Sequence, residues 1–353
     1  MGIAVAQLFR TAGQSVVTDI DLDANGRQVG HARLPHSSHR SAYGWLPIPL
    51  ASIRNGDGPV ALVIGGNHGD EYEGQIIASR LAREIAPEMV RGQLIVLPMA
   101  NFPAAQAGTR TSPIDGGNLN RLFPGDPAGG VTPAIARYIE QVLLARADLV
   151  IDLHSGGSSL LYHGTVTLAG EPVTDTEQRQ LPALLDAFGA HYTSLLKTLN
   201  PATMLGAARR QGALCIVGEL GGAGTVSRAG LDRAWHGVCR TLQAFGVLGP
   251  GCVATTPALP GTCIELAFGS DTHHVYARAA GVFEPLVALG DEVQAGQGAA
   301  LIHDPATPGQ APQRMVFEGP GIVVCQRVPA QAVVGDCLFQ IGSPVPPHRS
   351  TAA

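Results

Sequence analysis

Between about residues 59 and 246, continuous apolar runs alternate with stretches whose apolar residues recur at helical spacing. The runs "PVALVIGG" (59–66), "GQLIVLPM" (92–99), "ADLVIDLH" (147–154) and "ALCIVGEL" (213–220) each read as a strand buried on both faces. Between them, Ile135, Tyr138, Ile139, Val142 and Leu143 keep the spacing of one helical face, as do Leu181, Leu184, Leu185 and Phe188. A third helix, over roughly 226–245, puts Leu231, Trp235, Val238, Cys239, Leu242 and Phe245 on one side. This alternation predicts the α/β class, with a mainly parallel sheet flanked by helices.

The pattern changes at both ends. Residues 1–50 read as a β-rich N-terminal extension and 51–250 as the α/β unit. The Gly/Pro-rich "FGVLGPGCVATTPALPGT" (245–262) leads into a smaller all-β domain over 251–345, and 346–353 reads as a tail. Two segments of the β domain, 281–302 and 321–341, share an opening glycine, a later turn and a closing apolar strand. They resemble the two hammerhead-like halves of biotinyl and lipoyl domains, yet neither contains a lysine, so carrier chemistry is excluded. Packing, homo-oligomer contacts or roofing an active site remain open to this domain.

In parallel sheets, ligands bind beyond the carboxyl ends of the strands, where loops converge. Here those ends deliver His68, two residues after "VIGG", His154, closing "LVIDLH", and Glu219, closing "CIVGE". With a helix starting near residue 70, His68 and Glu71 would lie three apart on one face and could reach a single ion. Zinc in a hydrolase takes three protein ligands and keeps a position for water, so His154 is the candidate third ligand. Asp152, on the same side of that strand, could orient it. Against this stands a plainer reading in which Asp70, Glu71 and Glu73 are acids at the positive end of a helix dipole. Asp70 and Glu73 keep that plainer role.

Arg110, Asn120 and Arg121 sit in "GTRTSPIDGGNLNRLFPG" (108–125), a loop suited to binding. An arginine fork can hold a carboxylate and a second arginine can stabilise an oxyanion, or the pair could tie down the loop itself. Glu219 could take a proton from water and pass it to a leaving amine, or serve as an ion-pair partner.

Composition narrows the field. Over 353 residues the net charge is −5 and no Lys/Arg run could neutralise a row of phosphates, which argues against nucleic acid. No apolar stretch reaches the ~18 residues of a membrane span, and no signal peptide is visible, so the expectation is a soluble, cytoplasmic protein. Six dispersed cysteines form no C-x-x-C pair. Lys197 is the only lysine and no Gly-Lys pair exists, which excludes a phosphate loop.

Taken in order, "GGNHGDEYEG", "GTRTSPIDGGNLNRLFPG", "DLHSGG" and "GELGG" resemble the succinylglutamate desuccinylase/aspartoacylase branch of the zinc carboxypeptidase superfamily. The resemblance spans roughly 60–225, and a β-rich C-terminal domain is typical of the branch. It implies one zinc ion per chain on His68, Glu71 and His154, with Glu219 as general base and acid. It also implies that Arg110 polarises the scissile carbonyl while Asn120 and Arg121 hold the substrate carboxylate. Within the branch, "NHGDEYEG", "SPIDGGNLNR" and the 281–304 segment are most similar to N-acetyl-diaminobutyrate deacetylases of ectoine breakdown. The implied activity is deacylation of a small N-acyl amino acid, with N-acetyl-2,4-diaminobutyrate the first choice. A desuccinylase or aspartoacylase-like deacylase, a peptide-cutting metallocarboxypeptidase and a non-catalytic binding protein stay as alternatives. A cationic substrate side chain should meet an acid, and Asp115 and Glu284 are unassigned acids that could supply it.

Overall fold

The structure, a computed structural model, describes residues 9–10, 15–258, 263–269 and 271–346. All four predicted strands form, as β3 (Val60–Gly65), β4 (Gly92–Leu97), β5 (Leu149–His154) and β8 (Leu214–Glu219), preceded by β1 (Gly26–Pro35) and β2 (Trp45–Asn55). Their order across the sheet is β4, β3, β5, β8, all mutually parallel. The β1–β2 hairpin adds antiparallel to β4, so β2 runs across the expected boundary at residue 50. Beyond β8, β6 (Val166–Gly170) lies antiparallel to it and β7 (Tyr192–Leu196) parallel to β6, which makes the sheet mixed.

Because side chains alternate across a strand, the continuous apolar runs feed two cores. Leu62, Ile64, Ile95, Leu97 and Val150 face one, against α3 (Val131–Tyr138) and α5 (Met204–Arg210). Val63, Val96, Leu149, Ile151 and Ile216 face the other, against α1 (Tyr72–Glu84), α4 (Asp175–Phe188) and α6 (Arg228–Phe245). A short α2 (Phe102–Ala107) completes the set. The predicted helical faces are the buried ones. Leu184 of α4 is 2% exposed, and truncating it to alanine should cost about 2–5 kcal/mol. Local chemistry sets the ends of α4: Thr174 and Glu177 form a reciprocal capping box, and Gly189 closes the helix in the left-handed conformation. The face that begins at Ile135 departs from prediction in one respect. After Tyr138 the chain widens into a π turn over Ile139–Leu143, though the predicted apolar positions Ile139, Val142 and Leu143 stay buried.

From residue 264 the described chain is β-rich, with one 3-10 turn at Asp271–His273. One four-stranded sheet contains Gly281–Pro285, Gly298–His303, Gln313–Val316 and Gln331–Ala332. Gly321–Arg327 and Cys337–Pro344 pair in the other. The two repeated segments exchange short strands: Glu292–Val293 of the first pairs with Gly321–Arg327 of the second, and Gln331–Ala332 of the second pairs with Gly281–Pro285 of the first. A short strand of the α/β unit, Leu160–Tyr162, also pairs with Gly321–Arg327 and ties the two regions into one sheet. Among the described residues, no helix is long and apolar enough to cross a membrane.

Candidate metal centre and its cavity

Two glycines bring the site together. A Cβ on Gly65, at the end of β3, would lie 2.5 Å from the Gly74 carbonyl, and one on Gly74 would lie 2.6 Å from the Leu153 carbonyl oxygen. Helix α1 therefore lies directly on the sheet, with its first turn pressed against the end of β5. The helix begins at Tyr72 rather than near 70, and Glu71 is its extended N-cap. His68 and Glu71 thus meet through a loop and a cap, not through a shared helical face. Asp70 is not a first-turn acid either: its carboxylate accepts hydrogen bonds from the Ser158 backbone and hydroxyl, both at 2.8 Å, which anchors the loop after His154. Glu73 does occupy the first turn, but it is 1% exposed, and burial pushes its pKa up to about 7.

His68, Glu71 and His154 are all buried, with one ligand-type atom of each lying within 4.8 Å of the others. Nδ1 of His68 sits 2.7 Å from Glu71 Oε1, and Nδ1 of His154 sits 2.8 Å from Glu71 Oε2. The outer nitrogens identify the tautomers. Asn118 Oδ1 accepts from the backbone N–H of Asn120 at 3.1 Å, so it must be the amide oxygen, and it faces His68 Nε2, also at 3.1 Å. Asp152 Oδ2 lies 2.9 Å from His154 Nε2. Each Nε2 therefore has an acceptor for its proton, which leaves each Nδ1 as the nitrogen turned inward and available to a cation. Two Nδ1 atoms then face the two Glu71 carboxylate oxygens at 2.7 and 2.8 Å, an arrangement that requires positive charge between them. Protons could supply it, and so could a divalent cation held by these donors, so the residues present fit a metal ion.

Electrostatics reflect the same crowding. Burial opposes charge on His154, but Asp152 and Glu71 on either side outweigh it and hold its pKa well above the usual value. Burial dominates at His68 and lowers it. Burial alone would raise Glu71, yet His154 and His68 hold it below the normal carboxylate range. Glu219, at the end of β8, points Oε2 into a position shut off from solvent with no hydrogen-bond partner. Burial, only partly offset by the charge of His154, pushes its pKa up to about 8.

All seven sequence-predicted site residues line one cavity of about 410 Å³. Arg110 Nη1 lies 3.2 Å from Glu71 Oε1. Asn120 Oδ1 accepts from the Met204 backbone N–H at 2.8 Å, at the start of α5. Arg121 donates to the Asn120 carbonyl at 2.7 Å and has no carboxylate within ion-pair distance among the described residues. The two further acids proposed to read a substrate side chain are elsewhere. Asp115 binds the Thr132 backbone and hydroxyl, both at 2.7 Å, and Glu284 pairs with His303 in the β domain. Sequence reasoning missed Asn118, one asparagine among several in a polar loop, and Tyr162, whose short strand lies between Gly221 and the C-terminal sheet.

A mixed α/β sheet whose strand ends gather two histidines, an acid between them, a desolvated second acid and two arginines defines a hydrolase scaffold with a metal-competent centre. Comparison with known proteins makes this specific. The sequence pattern of the succinylglutamate desuccinylase/aspartoacylase catalytic domain matches residues 57–245, and the chain belongs to that family. It is 39% identical over 330 residues to the N-alpha-acetyl-L-2,4-diaminobutyric acid deacetylase of Halomonas elongata, covering 92% of this chain and 94% of that protein. Among solved structures it is similar to the product-bound ectoine utilization protein EutE (DoeB) from Ruegeria pomeroyi, with TM-score 0.87, 36% identity and coverage of 94% and 100% of the two chains. A succinylglutamate desuccinylase from a Silicibacter species superposes with TM-score 0.87 at 34% identity, covering 95% and 100%.

Proposed function

We propose that this chain is a zinc-dependent amidohydrolase that removes the acyl group from an N-acyl amino acid, with N-acetyl-2,4-diaminobutyrate, an intermediate of ectoine degradation, as the leading substrate. The observation that carries the reading is the convergence of the His68 and His154 Nδ1 atoms on the Glu71 carboxylate, inside the cavity that Glu219, Arg110 and Arg121 also line. The curated relative's activity and near-complete coverage support the substrate class.

His68, Glu71 and His154 would hold the cation. When bound, it would supply Lewis acidity to water and to the scissile carbonyl. The remaining roles belong to the chain. Glu219 accepts a proton from the attacking water and returns it to the leaving amine nitrogen, which requires it to be ionised first. Nearby positive charge favours that ionisation, against the burial that keeps it protonated in the metal-free protein. Arg110 donates N–H groups to the carbonyl oxygen as negative charge builds there. Arg121, free of any acidic partner among the described residues, takes the substrate carboxylate, and the Asn120 side-chain N–H₂ is placed to assist.

Elemental analysis of the purified protein, beside a panel of N-acetyl, N-succinyl and N-formyl amino acids, tests the reading. Bound zinc near one per chain and amine release from the N-acetyl members are expected. Absence of metal, or cleavage of short peptides alone, would overturn it.

A further inference from the structure

The curated relative acts on a substrate whose side chain ends in an amine, so the acid that would meet such a group can be sought in this cavity. The described wall contains three carboxylates, and each is committed. Glu71 lies between two histidines and Arg110, Asp152 holds His154, and Glu219 sits desolvated at the end of β8. An ammonium placed on any of them would compete with the chemistry proposed above. No acid is hidden outside the described residues, because positions 1–14, 259–262, 270 and 347–353 contain no Asp or Glu.

Apart from Arg110, Arg121 and the two histidines, the rest of the wall is neutral. Leu168, Leu196, Leu199 and Val217 supply apolar surface, and Thr198 and Asn200 add hydroxyl and amide groups. The Asn200 side-chain oxygen is already used by the Ala202 backbone N–H at 2.9 Å. The cations in the cavity, Arg110 and Arg121, repel a second positive charge. A site built to pair with a polar group discriminates against an analogue lacking it by roughly 10⁴-fold, whereas a pocket that only accommodates a group discriminates by roughly ten- to 200-fold.

We propose that this cavity selects the substrate side chain by size and not by charge, so that its substrate class is short-chain N-acyl amino acids, neutral ones included. This rests on the deacylase reading above and narrows it. A substrate amine then projects into solvent or among neutral oxygens, without an ion pair to the wall.

The test compares kcat/KM of the zinc-loaded enzyme for N-acetyl-2-aminobutyrate and Nα-acetyl-2,4-diaminobutyrate, which differ by the terminal amine. A cationic-to-neutral ratio no greater than about 200-fold is expected, since no charge pair distinguishes them. A larger preference for the cation overturns the proposal and points to an acid delivered by another copy of the chain. A second arm installs the missing charge. Thr198→Asp, at an exposed wall position, should raise the ratio at least about tenfold, and an unchanged ratio places the side chain elsewhere. Failure to release amine from any N-acetyl amino acid would overturn the deacylase reading itself, an outcome distinct from activity confined to the diaminobutyrate derivative.

Discussion

Asn118→Ala should weaken metal binding although Asn118 touches no metal. Its Oδ1 accepts from the Asn120 backbone and faces His68 Nε2, each at 3.1 Å, so it fixes the proton on Nε2 and keeps the Nδ1 lone pair turned toward Glu71. Without that acceptor the buried ring, 2% exposed, is free to place its proton on Nδ1, where it donates to Glu71 and opposes a cation. Loss of such an outer partner costs about 10–100-fold in metal affinity, equivalent to about 1.4–2.7 kcal/mol. Asn118→Asp separates the acceptor from the amide: it retains an oxygen at the same reach and should hold affinity at or above the parent value. Competition with a calibrated zinc chelator measures both variants, and circular dichroism checks that each remains folded. An alanine variant within twofold of the parent, or an aspartate variant as weak as alanine, would refute the tautomer argument.

Glu219→Gln should lose about 10²–10⁴-fold in kcat while binding zinc normally, and near-parental turnover would remove Glu219 from the mechanism. Arg121→Ala should lower kcat/KM about ten- to hundredfold for carboxylate substrates and much less for the corresponding carboxamides; equal losses on both would assign Arg121 to the loop instead. In chelator-treated protein, Glu219 has its pKa at about 8, against an ordinary 4.5, so the folded chain retains a proton that the unfolded chain has released between those values. Its contribution to stability is complete below pH 4.5 and is lost as pH rises to about 8. The Tm of Glu219→Gln minus that of the parent should therefore grow from about pH 5 to about pH 8, and a constant difference would contradict the raised pKa. Gly69→Ala puts a Cβ 2.0 Å from the Ala104 carbonyl, so the loop carrying His68 must move; a cost of about 1–3 kcal/mol with weakened metal binding is expected, and denaturant unfolding measures the first part.

The strands that position the site were legible because each is buried on both faces and shows as an unbroken apolar run such as "ALVIGG" or "LVIDLH". Histidines and acids at the ends of those runs were then predicted to share one edge, and the structure brings His68, Glu71, His154 and Glu219 there. Roles that depend on contacts between distant segments left no local trace. Asn118 and Asn120 look alike in "GGNLNR", yet one faces His68 and the other accepts from the Met204 N–H that opens α5. Asp70 and Glu73 both looked like first-turn acids, and a two-residue shift in the helix start turned Asp70 into an anchor for the loop at Ser158. Asp115 and Glu284 were unassigned only because their partners, Thr132 and His303, lie 17 and 19 positions away. The repeat in the β domain was legible as two similar segments, but the crossed pairing of their short strands could be seen only in three dimensions.

The strand Leu160–Tyr162 carries a cavity-lining side chain at each end while its backbone pairs with Gly321–Arg327. Part of the cavity wall is therefore held in place by a segment about 160 positions further along the chain. The α/β unit holds the same strand from its other side, since the Leu160 and Tyr162 backbone N–H groups donate to the Gly156 and Gly221 carbonyls, so opening of the C-terminal sheet would free one edge of the wall and leave the other bonded. The β region thus braces one edge of the cavity without supplying a side chain to its described lining, and exchanging it between relatives would leave the wall's own residues in place.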